Sequence, residues 1–307
     1  MNKYAEPKTN TCTLIEFQSK YGTEKDCEQA LFHLKWPEGF QCPKCGSRHY
    51  TLVGGRRLPL YQCTECHCQT TSTAGTILAN SKLLLVKWFL ALYFMAANKD
   101  GVSGAALAKY IGVTLKTAWL LLHKIRAAMG ARENIYNLGG SIEMDEAFFG
   151  GKTEGKRGRG SENKTQVAVA LQLDGNGHPQ YLKMKVIPNA KGETLLSFAE
   201  GCISLGSIIH SDAFRSYSAL SEKYRTDMQK YDTKSNSQHL KWLHVMISNI
   251  KANIEGAYHG LDGTYLQRYL DEFCYRFNRR HSKVSVLEHL VKCCVWAPYK
   301  TAAELCI

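Results

Sequence analysis

Two short cysteine pairs constrain this chain more than any other feature: Cys42-Pro43-Lys44-Cys45 and, after seventeen intervening residues, Cys63-Thr64-Glu65-Cys66. Thiolates repel one another, and a borderline-soft cation such as zinc offsets that repulsion while tying two turns together. A Cys-x-x-Cys pair on each of two turns is the spacing of a tetrahedral site. Its ligands are Cys42, Cys45, Cys63 and Cys66, with His67 or Cys68 as alternatives to Cys66. Four protein ligands leave no open position, so the zinc is expected to be structural. The residues between the pairs read as short β pieces joined by a Gly54-Gly55 turn, which makes 41–68 a self-contained module. Arg48, His49, Arg56 and Arg57 surround it with positive charge suited to phosphates.

Twelve cysteines in a short secreted chain would suggest disulfides, but here four fall in the two pairs. The start, Met1-Asn2-Lys3-Tyr4-Ala5-Glu6-Pro7, has neither an apolar signal core nor an Arg/Ser-rich transit pattern, so metal ligation in a reducing compartment is expected. The most membrane-like run, Leu83 to Ala97, is interrupted by Lys87, and about 20 apolar residues are needed to cross a bilayer. It reads as a buried helix of a soluble intracellular protein. Thirty-nine Lys and Arg against twenty-seven Asp and Glu leave a net charge of +12, which favours a polyanionic partner such as nucleic acid or an anionic membrane surface. With 307 residues, 44% of them hydrophobic, the chain has enough material for more than one core, which excludes disorder throughout, collagen and a disulfide mini-scaffold.

Helical periodicity covers parts of 14–34, with Thr23 and Glu24 as start signals for a second helix, then 82–97 and 103–129. Within 102–119 a helix, a turn at Gly112 and a second helix resemble a helix-turn-helix. Its core would be Ala105, Leu107, Ala108, Ile111 and Leu120 or Leu121. Thr114, Lys116 and Thr117 would face base edges, and Lys124 and Arg126 would suit phosphates; an ordinary α-hairpin is the alternative. After Gly139-Gly140 the period changes to strands at 141–148, 166–173, 180–187 and 207–211, with helices expected at 193–202 and 216–224. Asp174-Gly175-Asn176-Gly177 is a hairpin turn between the second and third of these strands. Lys152 to Lys164, rich in Gly, Lys and Arg, reads as a loop.

Met144-Asp145-Glu146 sets a carboxylate in an apolar strand, and His210-Ser211-Asp212 sets another at the end of a second strand. Magnesium takes hard oxygen ligands, usually one or two protein carboxylates with water and phosphate oxygens completing the shell. Two such ions about 4 Å apart stabilise the attacking and leaving oxygens of an in-line phosphoryl displacement. Asp145 and Asp212 are therefore the candidate ligands of catalytic Mg2+ or Mn2+.

At this point the chain resembles the zinc-ribbon-bearing transposases of bacterial insertion sequences whose catalytic domain is called ISXO-like, within the DDE superfamily of ribonuclease-H-like fold. The resemblance rests on Phe40-Gln41-Cys42-Pro43-Lys44-Cys45-Gly46 with Tyr61-Gln62-Cys63, on Met144-Asp145-Glu146 with Gly150-Gly151-Lys152, and on Ser211-Asp212. It continues through Gly256-Ala257-Tyr258-His259-Gly260, then Leu266-Gln267-Arg268-Tyr269-Leu270-Asp271-Glu272-Phe273 and Arg276-Phe277-Asn278-Arg279-Arg280. It implies metal-dependent cleavage of element ends, strand transfer by the freed 3′-hydroxyl into target DNA, and Asp145 and Asp212 as the first two metal ligands. It also implies synapsis of two DNA ends by a homodimer or higher oligomer, in a bacterial cytoplasm at the nucleoid, with no membrane partner.

The third ligand departs from the simple pattern. Counting back from Gly256-Ala257-Tyr258-His259 without gaps, the place usually held by Glu falls on His244, and the basic residue that follows falls on Lys251. The resemblance also admits Asn, and a gapped match selects Asn249. On a continuous helix His244, Ser248, Lys251 and Glu255 share a face, whereas Asn249 is turned about 140° from His244, which favours His244. Glu255 lies roughly 16 Å along the axis, too far for the same ions. Lys251 suits a phosphate. Over 265–280 an apolar stripe of Tyr265, Leu266, Tyr269, Leu270, Phe273 and Phe277 reads as core, and Arg268, Arg276, Arg279 and Arg280 as phosphate contacts.

The expected fold class is multidomain α+β. A helical segment and zinc ribbon occupy 1–79, a helical, helix-turn-helix-like DNA-binding region 80–138, and a ribonuclease-H-like α/β catalytic domain 139–307. The expected function is that of a DNA transposase. The alternatives are a ribonuclease-H-like nuclease or resolvase, and a catalytically silent zinc-ribbon DNA-binding regulator.

Overall fold

The computed structural model describes residues 12–150, 164–230, 239–258 and 261–305. The loop expected at 152–164 therefore lies outside the described residues except for Lys164, as do the first seven residues and the motif positions Gly151, Lys152, His259 and Gly260. The chain divides into two compact units, 1–129 with 282–307, and 130–281.

The first unit opens with α1 (Leu14–Tyr21) and α2 (Glu24–Lys35). Both start on reciprocal caps, in which Thr13 and Glu16, and Thr23 and Asp26, satisfy each other's backbone N–H groups. Strands β1 (Tyr50–Val53), β2 (Leu60–Cys63) and β3 (Gln69–Thr70) form an antiparallel sheet. It is too small to bury much by itself. α2 supplies the missing apolar surface: Phe32 and Trp36 pack on Phe40 and Tyr61, and the Tyr61 hydroxyl donates to buried Glu28 at 2.8 Å. Helix α3 (Leu85–Ala97) is apolar and largely buried, and α4 (Gly104–Ile111) and α5 (Leu115–Glu133) follow. Among the described residues no single helix is long and apolar enough to cross a membrane.

The second unit is built on a mixed sheet. Strands β4 (Ser141–Phe149), β5 (Thr165–Leu173) and β6 (Pro179–Ile187) form an antiparallel meander, and helix α6 (Gly192–Cys202) leads to β7 (Ile208–Asp212). β7 runs parallel to β4 on its other side. The segment expected to be helical at 216–224 is a 3-10 helix over Arg215–Glu222. It is followed by a further strand, β8 (Arg225–Gln229), which the sequence pattern did not reveal because its side chains are polar and mostly exposed. The sheet order is β6-β5-β4-β7-β8. This is the mixed α/β arrangement expected of a ribonuclease-H-like domain.

Because strand side chains alternate, β4 presents Ile142 and Met144 to one face and Ala147 and Phe149 to the other. The first face is covered by α6 and the 3-10 helix through Leu195, Phe198, Tyr217 and Leu220. The second is covered by α7 (Lys241–Ala257) and α8 (Leu266–Phe277) through Leu243, Ile247, Ile250 and Leu270. Covered on both sides, β4 is fixed in place. The chain then returns to the first unit, where α9 (Val286–Trp296) packs on α3 and α2. The last residues thus belong with the helical unit, although the sequence division joined them to the strand-rich one.

The outer edge of β6 is closed by side chains from α8 and the residues after it. Asn278 accepts from the Leu182 N–H at 2.7 Å and donates to the Leu182 carbonyl at 2.9 Å; Gln267 does the same for the Val186 N–H and the Met184 carbonyl. Two carboxamides here stand in for a missing strand. Asn278→Ala leaves both Leu182 backbone groups without these partners, and is expected to destabilise the second unit by about 2 kcal/mol, read as a shift in the denaturant midpoint with unchanged slope.

Candidate functional site

The cysteine centre is built by two matching turns. The Gly46 N–H donates to the Cys42 carbonyl at 2.9 Å, and the His67 N–H donates to the Cys63 carbonyl at 3.1 Å, so each Cys-x-x-Cys folds into a tight loop. Gly46 (φ 76°) and His67 (φ 55°) occupy the same left-handed position in their respective turns. His67 serves there as a backbone element. The sulfur atoms of Cys42, Cys45, Cys63 and Cys66 all lie within 4.8 Å of one another, with Cys42 to Cys66 and Cys45 to Cys63 at 3.5 Å. A zinc ion with sulfurs at about 2.3 Å requires sulfur separations near this range. Backbone N–H groups directed at the sulfurs, chiefly that of Cys45, pull the Cys42 thiol down to about 6, and that of Cys66 lowers Cys63. Both favour the thiolate that a cation needs. This is a zinc-binding cluster, and Cys66 completes it in preference to His67 or Cys68.

The second centre forms where β4, β7 and α7 meet. The parallel register pairs Ile142 with Ile209 and Glu143 with His210. Asp145 and Asp212 each lie two residues beyond the last pair, so they share the strand face of Glu143 and His210, the one that α7 covers. Each aspartate has one oxygen held locally: the Glu146 N–H donates to Asp145 Oδ1 at 2.8 Å, and the Phe214 N–H to Asp212 Oδ1 at 3.2 Å. From the first turns of α7, His244 Nε2 approaches Asp145 Oδ2 at 3.4 Å. That contact holds the imidazole above its ordinary range, with Asp145, Glu143 and Asp212 adding to the effect and burial opposing it. Further along the same face Lys251 lies over the Phe149 ring, with Nζ 5.6 Å from its centre, and its charge is depressed by burial while Asp145 supports it. His244 thus meets Asp145, Asp212 is near enough to act on the His244 charge, and Asp145 near enough to act on that of Lys251. Asn249 is exposed on another side of α7.

Residues 137–278 match the ISXO2-like transposase domain and residues 22–69 match the transposase zinc-ribbon domain, together more than half of the chain. The chain belongs to the ISXO2-like transposase family. The zinc-ribbon match takes in α2, in keeping with the helix completing the small core of the ribbon. A curated relative, an uncharacterized protein in transposable element ISH50 of Halobacterium salinarum, is 25% identical over 215 residues, covering 65% of this chain and 71% of its own. That relative is archaeal, so the likeness extends beyond the bacterial elements of the sequence expectation. Among solved structures, the Mos1 mariner paired end complex with Mn is 9% identical with a TM-score of 0.22, covering 65% of this chain and 78% of its own. The pre-cleavage Mos1 transpososome is 12% identical with a TM-score of 0.23, covering 67% and 77%. Likeness at this level carries no weight for function.

In this transposase the helix-turn-helix expectation holds as geometry. Helices α4 and α5 are separated by Gly112 in the left-handed region and bend by 110°. Leu107, Ile111 and Leu121 are buried as expected, while Ala105 is exposed and Ala108 only half-buried. Thr114 caps α5, accepting from the Thr117 N–H at 3.2 Å, and Lys116 is exposed beside it. A cleft of about 470 Å³ opens at this point, lined by Lys82, Trp88, Thr114, Thr117, Leu121 and Lys124. Lys124 differs from the sequence expectation: it is 8% exposed, over the Tyr299 ring, and burial depresses its charge. Arg126, expected at phosphates, is 1% exposed.

The arginines at the end of α8 and just after it also differ. Arg276 pairs with buried Glu272 at 2.8 Å; Arg279 pairs with buried Glu133 at 2.5 Å and lies on the Tyr275 ring; Arg280 binds the carbonyls of Pro179, Gln180 and Phe277. Arg276 and Arg279 neutralise buried acids and are directed inward, away from the phosphates expected of them, whereas Arg280 is exposed while its guanidinium donates to those carbonyls. Sequence reasoning missed Glu143, which accepts from the Leu243 N–H in the first turn of α7, and His239, which precedes α7 and contacts the Ser211 carbonyl. It also missed the chain in which His210 links Ser141 at 3.1 Å to Asp227 at 3.0 Å across β4, β7 and β8. Glu143 carried one signal, a charged residue two positions before Asp145 on the same strand face.

Chelating the zinc, or Cys63→Ser, is expected to release the bound metal by elemental analysis and to abolish hydrogen-exchange protection over 40–70 while leaving 141–187 protected. Cys68→Ser should retain the metal.

Proposed function

We propose that this chain is a DNA transposase that hydrolyses phosphodiester bonds at the ends of its insertion sequence and joins the freed 3′-hydroxyl to target DNA. One observation supports the reading: Asp145 and Asp212 each lie two residues past the last pair of adjacent parallel strands, with His244 at 3.4 Å from Asp145. Two carboxylates on one face repel unless a cation sits between them, and a neutral imidazole adds a third donor, so the donor set fits Mg2+ or Mn2+. Such ions supply Lewis-acid stabilisation of the oxygens that attack and leave in an in-line displacement. Asp145 and Asp212 hold the charge in place because local N–H groups and the strands fix their rotamers. His244, after losing its proton, contributes a ring nitrogen from α7. Its place on the same face as Lys251 supports it over Asn249.

Lys251 presents an ammonium on the helix face shared with His244, where a phosphate flanking the scissile bond would lie. The reactions need no covalent protein intermediate, since positioning water and then a 3′-hydroxyl is sufficient. DNA is the partner in this reading, with Thr114 and Lys116 at the start of α5 as the exposed polar residues for base edges and Thr117 beside them. Two protomers would hold the two element ends, as the family resemblance implies.

The test is joining of a pre-cleaved oligonucleotide carrying the element's terminal repeat to supercoiled plasmid in Mg2+. Wild type joins; Asp145→Asn and Asp212→Asn abolish joining; His244→Ala lowers it by at least about 100-fold, and Asn249→Ala leaves it within about twofold. Nicking without joining would replace this reading with a nuclease. Binding of the repeat with neither reaction would replace it with a regulator.

A further inference from the structure

We propose that Glu143 and His239 are positioning residues that fasten the first turn of α7 to both aspartate-bearing strands and thereby set His244 at the metal site. The inference rests on the reading of His244 as a ligand given above. Helix α7 starts without a cap of its own: Leu240 precedes it in the left-handed region (φ 54°), unusual for a branched residue, and offers no side-chain acceptor. An acceptor arrives from elsewhere. Glu143 Oε2 accepts from the Leu243 N–H at 2.8 Å, a hydrogen bond across one hundred residues of sequence and adjacent in the chain to His244.

Glu143 is 6% exposed, a position on β4 where an apolar residue would pack with less desolvation. It shares its strand face with Asp145, two residues on, so the capping carboxylate and the proposed ligand are fixed by the same length of backbone. The second fastening is on the neighbouring strand. His239 Nε2 donates to the carbonyl of Ser211 at 2.9 Å, and Ser211, fully buried, directly precedes Asp212. The α7 start is thus tied to β4 two residues before one aspartate and to β7 one residue before the other. With both ties made, the helix has little freedom to slide or rotate, and the 3.4 Å approach of His244 to Asp145 follows from backbone already anchored at the two strands.

The experiment measures Mn2+ affinity by titration of the DNA-free, full-length protein, alongside kcat and KM for joining. Glu143→Ala and His239→Ala are expected to weaken Mn2+ binding and lower kcat by about 10-fold to 100-fold, with KM for DNA nearly unchanged, while Glu143→Gln, which keeps an oxygen for the Leu243 N–H, restores most of both. Wild-type Mn2+ affinity in Glu143→Ala and His239→Ala, with a lowered melting temperature alone, would reduce both residues to structural supports and overturn the proposal. Equal loss in Glu143→Gln and Glu143→Ala would overturn it as well, by making the carboxylate's charge rather than its acceptor role the cause. Should Glu143→Ala fail to fold, His239→Ala and Glu143→Gln carry the decision. His244→Ala is the control that separates the two readings. Weakened Mn2+ binding there with intact binding in the other variants sinks only the fastening; unchanged binding in His244→Ala sinks the ligand reading, and this inference with it.

Discussion

The parallel pairing of β4 with β7 is the constraint from which the rest of the catalytic unit follows. Adjacent strands lie about 4.8 Å apart, so residues level across a pair share a face and come within reach of the same ion. Here the pairing runs to Glu143 and His210, two residues short of Asp145 and Asp212, and each aspartate also accepts from a local backbone N–H. Fixing them depends on the layers above and below. The Ile142, Met144 and Tyr217 side holds the back of the strands, and the Phe149, Leu243 and Ile250 side brings α7 across the front. Helix α7 then adds a nitrogen and an ammonium to a site whose acids come from strands.

Charge is distributed in the second unit by a consistent rule: each buried acid has a donor aimed at it. Tyr217 donates to Glu146 at 2.6 Å, Arg276 to Glu272, Arg279 to Glu133, and the α7 backbone to Glu143. Burying a carboxylate without a partner is costly, which is why the arginines that look like a basic patch in sequence are directed inward. The first unit handles a comparable problem with sulfur. Its ribbon has few apolar residues, and cohesion comes from four converging cysteines and from α2, whose aromatic face completes the little core.

Much of this was legible beforehand because it is local. The cysteine spacing, the Thr23 start of α2, the Gly112 break, the Asp174–Gly177 turn and the period-two strands 141–148, 166–173 and 180–187 each involve residues close in the chain. Helical periodicity also put His244 and Lys251 on one face and Asn249 on another. Three features were not legible. β8 has no apolar alternation, since it forms a polar edge; α9 joins the helical unit through packing that no linear pattern records; and the arginines after α8 find partners as distant in sequence as Glu133.

The sequence by itself determined which residues are candidates for chemistry: thiols in pairs, one carboxylate within a strand and another at a strand end, and a helix face with an imidazole and an amine. Residue type and short-range spacing suffice for that, because turns, strands and helices repeat over a few residues. Only the tertiary structure decided that the strands bearing Asp145 and Asp212 pair side by side, that Glu143 accepts from the Leu243 N–H and His239 donates to the Ser211 carbonyl, and that Arg279 and Lys124 are directed inward. Those outcomes depend on strand register, on helix docking and on the cost of leaving buried charge unpaired, and they couple residues from tens to more than a hundred positions apart in the chain, such as Ser211 with His239 and Glu133 with Arg279.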